Sequence, residues 1–495
     1  MNNLLLFSMV LFTFTALPAN NIAVSNIVLT DQNVGAGETT VQFDLSWENS
    51  WRISVGPANY DAAWVIIKYR VGGGPWRHAN IAGVGTSPGG ASVQEVDNLG
   101  AFVYRSGDGS GDVAYQDIQL VWDYGIDGVD DNAVVDVQVF ALEMVYVPPS
   151  PFSLGTGGNI LNAATLENGE FYSVGAVPLI RSPYLIDSED QINVNNSVGS
   201  LYYPPNGGGV TSGDQLGPIP ATFPKGYDGF YCAKYETSQA QYVAFFNTLT
   251  QTQRLALDVT GSEGKNSDNV SARNGVAWDE TGNATTSLPD LPLNYVSNQI
   301  ALAYLDWAGL RPMTELEFEK AGRGPADPIQ SEFAWGTANI HGAPYALLND
   351  GLPTEQLSGL GVGTGNAQFS LTTPPFSGPL RVGIFAASAT NANREETGGS
   401  YYGIMELSGN LYERVVSVGN PEGRAFNGAH GDGEITGPGL HNVATWPTTN
   451  VGLGYRGGSH ANAAIYLRLS DRNDAATVLT GSNTRLGFRG VRSAN

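Results

Sequence analysis

Polar and apolar residues alternate with a period of two through much of the first 150 residues, and that pattern leaves little choice of local structure. In Thr40-Val41-Gln42-Phe43-Asp44-Leu45-Ser46-Trp47 every second residue is apolar, and Val135-Asp136-Val137-Gln138-Val139 repeats the pattern. Trp64-Val65-Ile66-Ile67 is a short continuous apolar run leading into Lys68-Tyr69. A helix needs apolar residues every third or fourth position, so these segments read as strands. Turn signals such as Gly72-Gly73-Gly74-Pro75 and Gly107-Asp108-Gly109 separate them. The expected product, over residues 20–143, is an immunoglobulin-like antiparallel β-sandwich. Its acidic loop carries Asp123, Asp127, Asp130 and Asp131. Clustered hard oxygens suit Ca²⁺, whereas an Asp127-Gly128 turn with solvated carboxylates is the alternative.

Composition narrows the functional classes. Lys and Arg total 24 against 47 Asp and Glu, a net charge of −23, so the surface repels phosphate backbones and nucleic acid is excluded as a partner. Glycine, at 63 of 495 residues, is well above the usual ~7% and favours loops over long helices. The single cysteine allows neither an intramolecular disulfide nor a thiolate cluster. Leu4 to Ala16 form an apolar run followed by Leu17-Pro18-Ala19, which reads as a signal peptide over residues 1–19, cleaved near Ala16 or Ala19. A secreted, extracellular or cell-surface protein is expected, and no later stretch is apolar for long enough to make a transmembrane segment.

After residue 143 the text changes. A segment dense in Pro, Gly, Ser and Asn leads to an insertion-rich opening over residues 157–222. Helical signals then appear. Ser238 precedes apolar positions at spacings of three and four as far as Leu249, and Asn298 to Ala308 buries Ala301, Tyr304 and Leu305 before stopping at Gly309. Thr314 followed by Glu317 is a capping box opening a third helix, Glu315 to about Ala321.

These blocks carry a resemblance. "YCAKYETSQAQYVAFFNTL", "LPLNYVSNQIALAYLDWAGLRPMTELEFEKAGRG", "FAWG", "GIMELSGNLYERV", "GYRGGSH", "LRLSDRND" and "RLGFRGVR", in this order, resemble the formylglycine-generating enzyme (sulfatase-modifying factor) superfamily, and "MVYVPPSPFSLG" at Met144 resembles its first strand. The resemblance implies an α+β multi-domain protein. Behind the sandwich, residues 144–495 would form a loop-rich formylglycine-generating-enzyme-like domain related to the C-type-lectin fold.

Catalytic members resembling this chain oxidise a cysteine of a sulfatase with copper held by two cysteines placed shortly after an arginine-glycine-glycine-serine block. Cu(I) demands soft thiolate ligands. Here the block is Arg456-Gly457-Gly458-Ser459 and the thiol positions fall at Asn462 and Leu467, so no copper is expected and these positions are catalytically degenerate. Cys232 lies far upstream and reads as a small buried hydrophobe. An Fe(II) relative needs a facial set of histidines, for which His430, His441 and His460 are the candidates. The resemblance also implies calcium at Asn410 and Glu413, with a Glu413–Arg414 ion pair as the alternative.

Arg456, Arg468, Arg472 and Arg489 read as structural forks for carbonyls and for carboxylates such as Asp471 and Asp474, with an anion site as the alternative. Trp446, His441, Tyr455 and His460 read as an aromatic, polar-tipped ligand-binding surface for a glycan or a protein. The function expected is that of a degenerate extracellular structural or binding component, adhesin-like or lectin-like, forming a homo-oligomer or filament. An active oxidase modifying a protein thiol, or an Fe(II)-dependent relative, is the competing expectation.

Overall fold

The computed structural model describes residues 21–159, 167–176, 180–207, 209–371 and 378–494. The leader read in residues 1–19 lies outside them. The described residues belong to two compact units, and the division falls at Glu143/Met144, inside a strand. One unit holds the residues up to Ile53, Tyr60–Glu143 and Thr248–Gln251, and the other holds Ser54–Asn59, Met144–Asn247 and Thr252–Asn495.

The first unit is built from β1 (Ala23–Asn33), β2 (Glu38–Arg52), β3 (Asp61–Val71), β4 (Arg77–His78), β5 (Ile81–Val84), β6 (Ala91–Val96), β7 (Gly100–Arg105), β8 (Gly109–Asp123) and β9 (Val135–Val147). One sheet runs β1-β2-β8-β5 and the other β9-β3-β7-β6, with β4 beside β3. The period-two pattern becomes one shared core. Val41, Phe43, Leu45 and Trp47 of β2 meet Ala63, Val65 and Ile67 of β3, Ala101 and Val103 of β7, and Ile118, Leu120 and Trp122 of β8. A buried carboxylate locks the β2–β3 connection: Asp61 accepts from Trp47 Nε1 (2.9 Å), Ser50 Oγ (2.8 Å) and the Trp51 amide (2.9 Å).

The second unit contains short elements between long loops. Its helices are α1 (Gln239–Asn247), α2 (Gln251–Leu257), α3 (Asn298–Trp307) and α4 (Glu315–Arg323), besides shorter turns of helix. β10 (Phe230–Ala233) lies between residues 144–147 and the C-terminal β15 (Gly490–Ser493), which also pairs with β11 (Arg311–Pro312). A second small sheet joins β12 (Tyr412–Val416) to β13 (Leu453–Arg456) and, in parallel, to β14 (Leu486–Gly487). Both of the best-marked helix starts are capped as their sequences require. Ser297 accepts from the Ile300 amide, and Thr314 and Glu317 complete the capping box at 3.1 and 2.9 Å. Among the described residues no helix is long and apolar enough to cross a membrane.

Helix α4 departs from ordinary amphipathicity, because every residue from Glu315 to Arg323 is buried. Its acidic side chains are neutralised by arginines from distant loops, from the neighbouring β11 and from the helix itself. Arg472 forks onto Glu315 at 2.6 and 2.9 Å, Arg456 bridges Glu315 (3.3 Å) and Glu319 (2.9 Å), Arg311 forks onto Glu317 at 2.6 and 2.9 Å, and Arg323 reaches Glu319 (3.1 Å) and Glu332 (2.5 Å). Burial pushes the Glu319 carboxyl up, but Arg456 and Arg323 outweigh it and hold the group below the usual range. A unit with so little regular structure relies on planar forks that satisfy carboxylates and loop carbonyls together.

Candidate functional site

The glycine pair of the Arg456–Ser459 turn brings three segments together. Gly457 and Gly458 have φ of 85° and 70°, and a Cβ on either would lie 2.6 Å from the Leu407 carbonyl or 2.5 Å from a Leu467 methyl. Glycine is therefore required by backbone conformation and by space. The Gly409 amide donates to Gly457 O and the His460 amide to Asn410 O, each at 2.8 Å, which clamps residues 409–413 against 456–460.

Within this frame Asn462 is half-buried and its Oδ1 accepts from Ser459 Oγ at 2.5 Å. Leu467 is fully buried among Phe333, Trp335, Ala367 and Phe369. Cys232 is fully buried on β10 opposite Val145 and Val491, and burial pushes its thiol up to about 12. A thiol so hard to ionise is a poor nucleophile and ligand.

The histidines do not converge. His430 Nε2 accepts from the Ser493 amide, His441 Nε2 lies 3.2 Å from Pro447 O, and His460 Nε2 lies 3.1 Å from Thr484 O. Burial lowers all three, His430 to about 2 with Arg492 and Arg311 adding to it. The aromatic surface expected around them is instead interior: Trp446, Tyr455 and His460 are 2–3% exposed. Trp446 packs beside His441 and donates to Ala429 O (2.8 Å), whereas Tyr455 packs on Tyr412 under Arg414. Loop backbone consumes the polar tips of His441, Trp446 and His460 that would otherwise face a ligand.

Two further expectations are corrected, the first by strand geometry. Glu413 and Arg414 are neighbours on β12 and so point to opposite faces. Arg414 binds Asn298 Oδ1 (2.7 Å) and Val296 O, while Glu413 Oε1 takes Arg489 at 2.5 Å. Nor do the C-terminal arginines use Asp471 and Asp474 in the way expected. Asp471 accepts from Asn168 Nδ2 and Asp474 from Tyr412 Oη, each at 2.8 Å, and the buried forks go to glutamates. Arg468 is half-buried and acts electrostatically on Glu167.

Glu236 and Glu406, which the sequence analysis passed over, are buried and feel the charge of Glu413. Burial first, and Glu413 second, raise Glu236 well above the carboxylate range, and burial raises Glu406 to about 7. The signal that could have found them is arithmetic: a loop-rich unit with that many C-terminal arginines needs buried carboxylates in matching number.

The family described as "Sulfatase-modifying factor enzyme 1-like domain" matches residues 206–494, more than half of the chain. The chain belongs to that family. Among solved structures, Treponema denticola variable protein 1 aligns over 72% of this chain and 96% of its own, at 13% identity and a TM-score of 0.32. No curated protein matches the chain.

Neither metal implied by the family resemblance fits the donors present. At the copper positions stand an amide engaged with Ser459 and a hydrocarbon, where Cu(I) requires thiolate. At the calcium positions Asn410 Oδ1 accepts from the Leu380 amide (2.8 Å), its Nδ2 donates to Glu236 Oε2 (2.5 Å), and Arg489 supplies the positive charge beside Glu413. In the sandwich, Asp127 is spent on Trp122 Nε1 (2.6 Å) and Asn80, Asp123 on the Ile126 amide, Asp130 on the Asn132 amide and Asp131 on Tyr124 Oη. Among the described residues no three His, Cys, Asp or Glu side chains form a group suited to a metal ion.

Proposed function

We propose that this chain is an exported, non-catalytic member of its family that works outside the cell as a binding or assembly component. In this reading the sandwich is an immunoglobulin-like module, and the loop-rich unit is a C-type-lectin-related scaffold for a glycan or protein ligand. One observation carries it: Asn462 and Leu467, the positions that the resemblance assigns to the two thiolates, offer an amide and a hydrocarbon, and Leu467 packs among Phe333, Trp335 and Phe369. The thiol of Cys232 cannot stand in for them, being fully buried and protonated.

The test is an oxidation assay on the purified full chain. A cysteine-containing peptide is incubated with the protein and oxygen in the presence of Cu(I), and separately of Fe(II), and aldehyde is captured with an aminooxy probe. The expected yield equals that of the metal alone. Protein-dependent aldehyde would overturn the non-catalytic reading, and retention of copper or iron through gel filtration would point to the oxidase and Fe(II) alternatives respectively.

A further inference from the structure

The sandwich unit places β1 and β5 at the edges of one sheet and β6 at an edge of the other. Two of these edges are blunted. Pairing of β1 with β2 loses register between Ser25 and Val28 and again between Thr30 and Asn33, with Asn26 and Asp31 in the left-handed region at φ 53° and 52°. Irregularities of this kind twist an edge away from an incoming strand. β5 is four residues long and shifts register between Ile81 and Gly83. β6 has no such device. Ala91–Val96 pairs with β7 in unbroken register, from Ala91 opposite Arg105 to Val96 opposite Gly100, and contains neither lysine nor proline.

The phase of the hydrogen bonds identifies which groups on β6 face outward. The Ser106 amide donates to Gly90 O at 2.9 Å, so Gly90, and by alternation Ser92, Gln94 and Val96, bond towards β7. The N–H and C=O groups of Val93 and Glu95 therefore point away from it. At Ala91 the amide turns to Pro88 O (3.2 Å), leaving its carbonyl outward. A regular row of outward donors and acceptors is a template for another strand.

We infer that β6 is a homodimerisation edge, pairing antiparallel with β6 of a second copy about a two-fold axis through Val93. Residues directly opposite in a ladder share a face of the sheet. With the axis at Val93, its outward N–H and C=O meet those of the partner's Val93 as a doubly hydrogen-bonded pair, and Ala91 lies opposite the partner's Glu95. Charge favours this register. A chain carrying −23 repels its own copies, yet Glu95 is the sole charge on β6 and comes to lie against alanine rather than against another carboxylate. The apolar face agrees: Ala91 and Val93 are half-buried against the sandwich core, so pairing extends that core across the axis. A strand of unrelated sequence would obtain the backbone bonds but not the Val93 contact. The inference gives the assembly half of the proposed function an interface and is independent of the question of catalysis.

The test is cysteine cross-linking in the full chain. Cys232 is buried and does not compete. Opposed residues of a hydrogen-bonded antiparallel pair have Cα atoms ~5.5 Å apart, within disulfide reach. Under mild oxidation Val93→Cys is expected to yield covalent dimer about ten-fold faster than Ser92→Cys, which lies opposite the partner's Gln94. Sedimentation of the unmodified chain is expected to show a concentration-dependent dimer, which Val93→Pro, lacking the outward N–H, weakens about ten-fold. A chain that remains monomeric at ~100 µM overturns the inference. So does Val93→Cys cross-linking no faster than Ser92→Cys; if dimers are nevertheless present, the assembly reading survives at another surface.

Discussion

Glu315→Ala is expected to destabilise the loop-rich unit by about 3–5 kcal/mol, because among the described residues it removes the sole carboxylate partner of Arg472 and one of the two that serve Arg456. Both guanidinium groups are fully buried, and Arg472 would be left with the carbonyls of Gly169 and Ser212 and the faces of Phe171 and Tyr203. An unpaired buried charge costs far more than the pair contributes. The surface pair Arg70–Asp136 is the internal control. Each partner is about 30% exposed, so Asp136→Asn is expected to cost under ~1 kcal/mol. Urea unfolding followed by hydrogen exchange, resolved peptide by peptide, separates the two units. Equal losses for the two substitutions would show that the ion pairs on α4 are not desolvated.

The raised carboxyls of the same unit are expected to withdraw stability as pH rises from about 4 to 7. Burial raises Glu170, Glu406 and Asp471 to about 7 in the folded chain, against unfolded values near ~4. Between those limits the folded state holds protons that the unfolded state has released, so unfolding free energy decreases with pH, by up to ~1.4 kcal/mol per pH unit for each group. Glu319, held low by its arginines, has the opposite sign and loses its contribution as pH drops below the carboxylate range. His430, His441 and His460, lowered by burial, likewise lose stability as pH falls below the unfolded histidine value of ~6.5. Urea midpoints across this range measure the net slope, and Glu406→Gln is expected to remove from it a falling component of about one proton. A slope for Glu406→Gln identical to that of the unmodified chain would show that this carboxyl is hydrated.

Local rules were legible where one residue's surroundings are its own neighbours. The capping box at Thr314 and Glu317 and the stop at Gly309, with φ of 65°, appear where cap chemistry places them. Thr40 to Trp47 is a strand inside β2, and the third helix runs one turn's fraction beyond its expected end, to Arg323. The loop-rich unit resisted reading because its partners are chosen across the chain. Arg489 meets Glu413 over 76 residues and Arg472 meets Glu315 over 157, and no spacing rule reaches that far. The Glu413–Arg414 pair failed for a simpler reason, since it was read without the strand's two faces. Trp446, Tyr455 and His460 resemble a binding surface in sequence because the backbone carbonyls that occupy His460 and the Trp446 indole belong to loops that periodicity does not describe.

Two acids on α4, Glu315 and Glu319, are made well before Arg456 and Arg472, which answer them. A nascent chain that has passed Arg323 carries Glu315 and Glu319 but must extend beyond Arg456 and Arg472, across separations of 137 to 157 residues, before their charges can be closed off from water. Until both of those segments emerge from the ribosome the centre of this unit has to stay wet, so its closure waits on the stretch that carries Arg456 and Arg472 rather than on α4 itself.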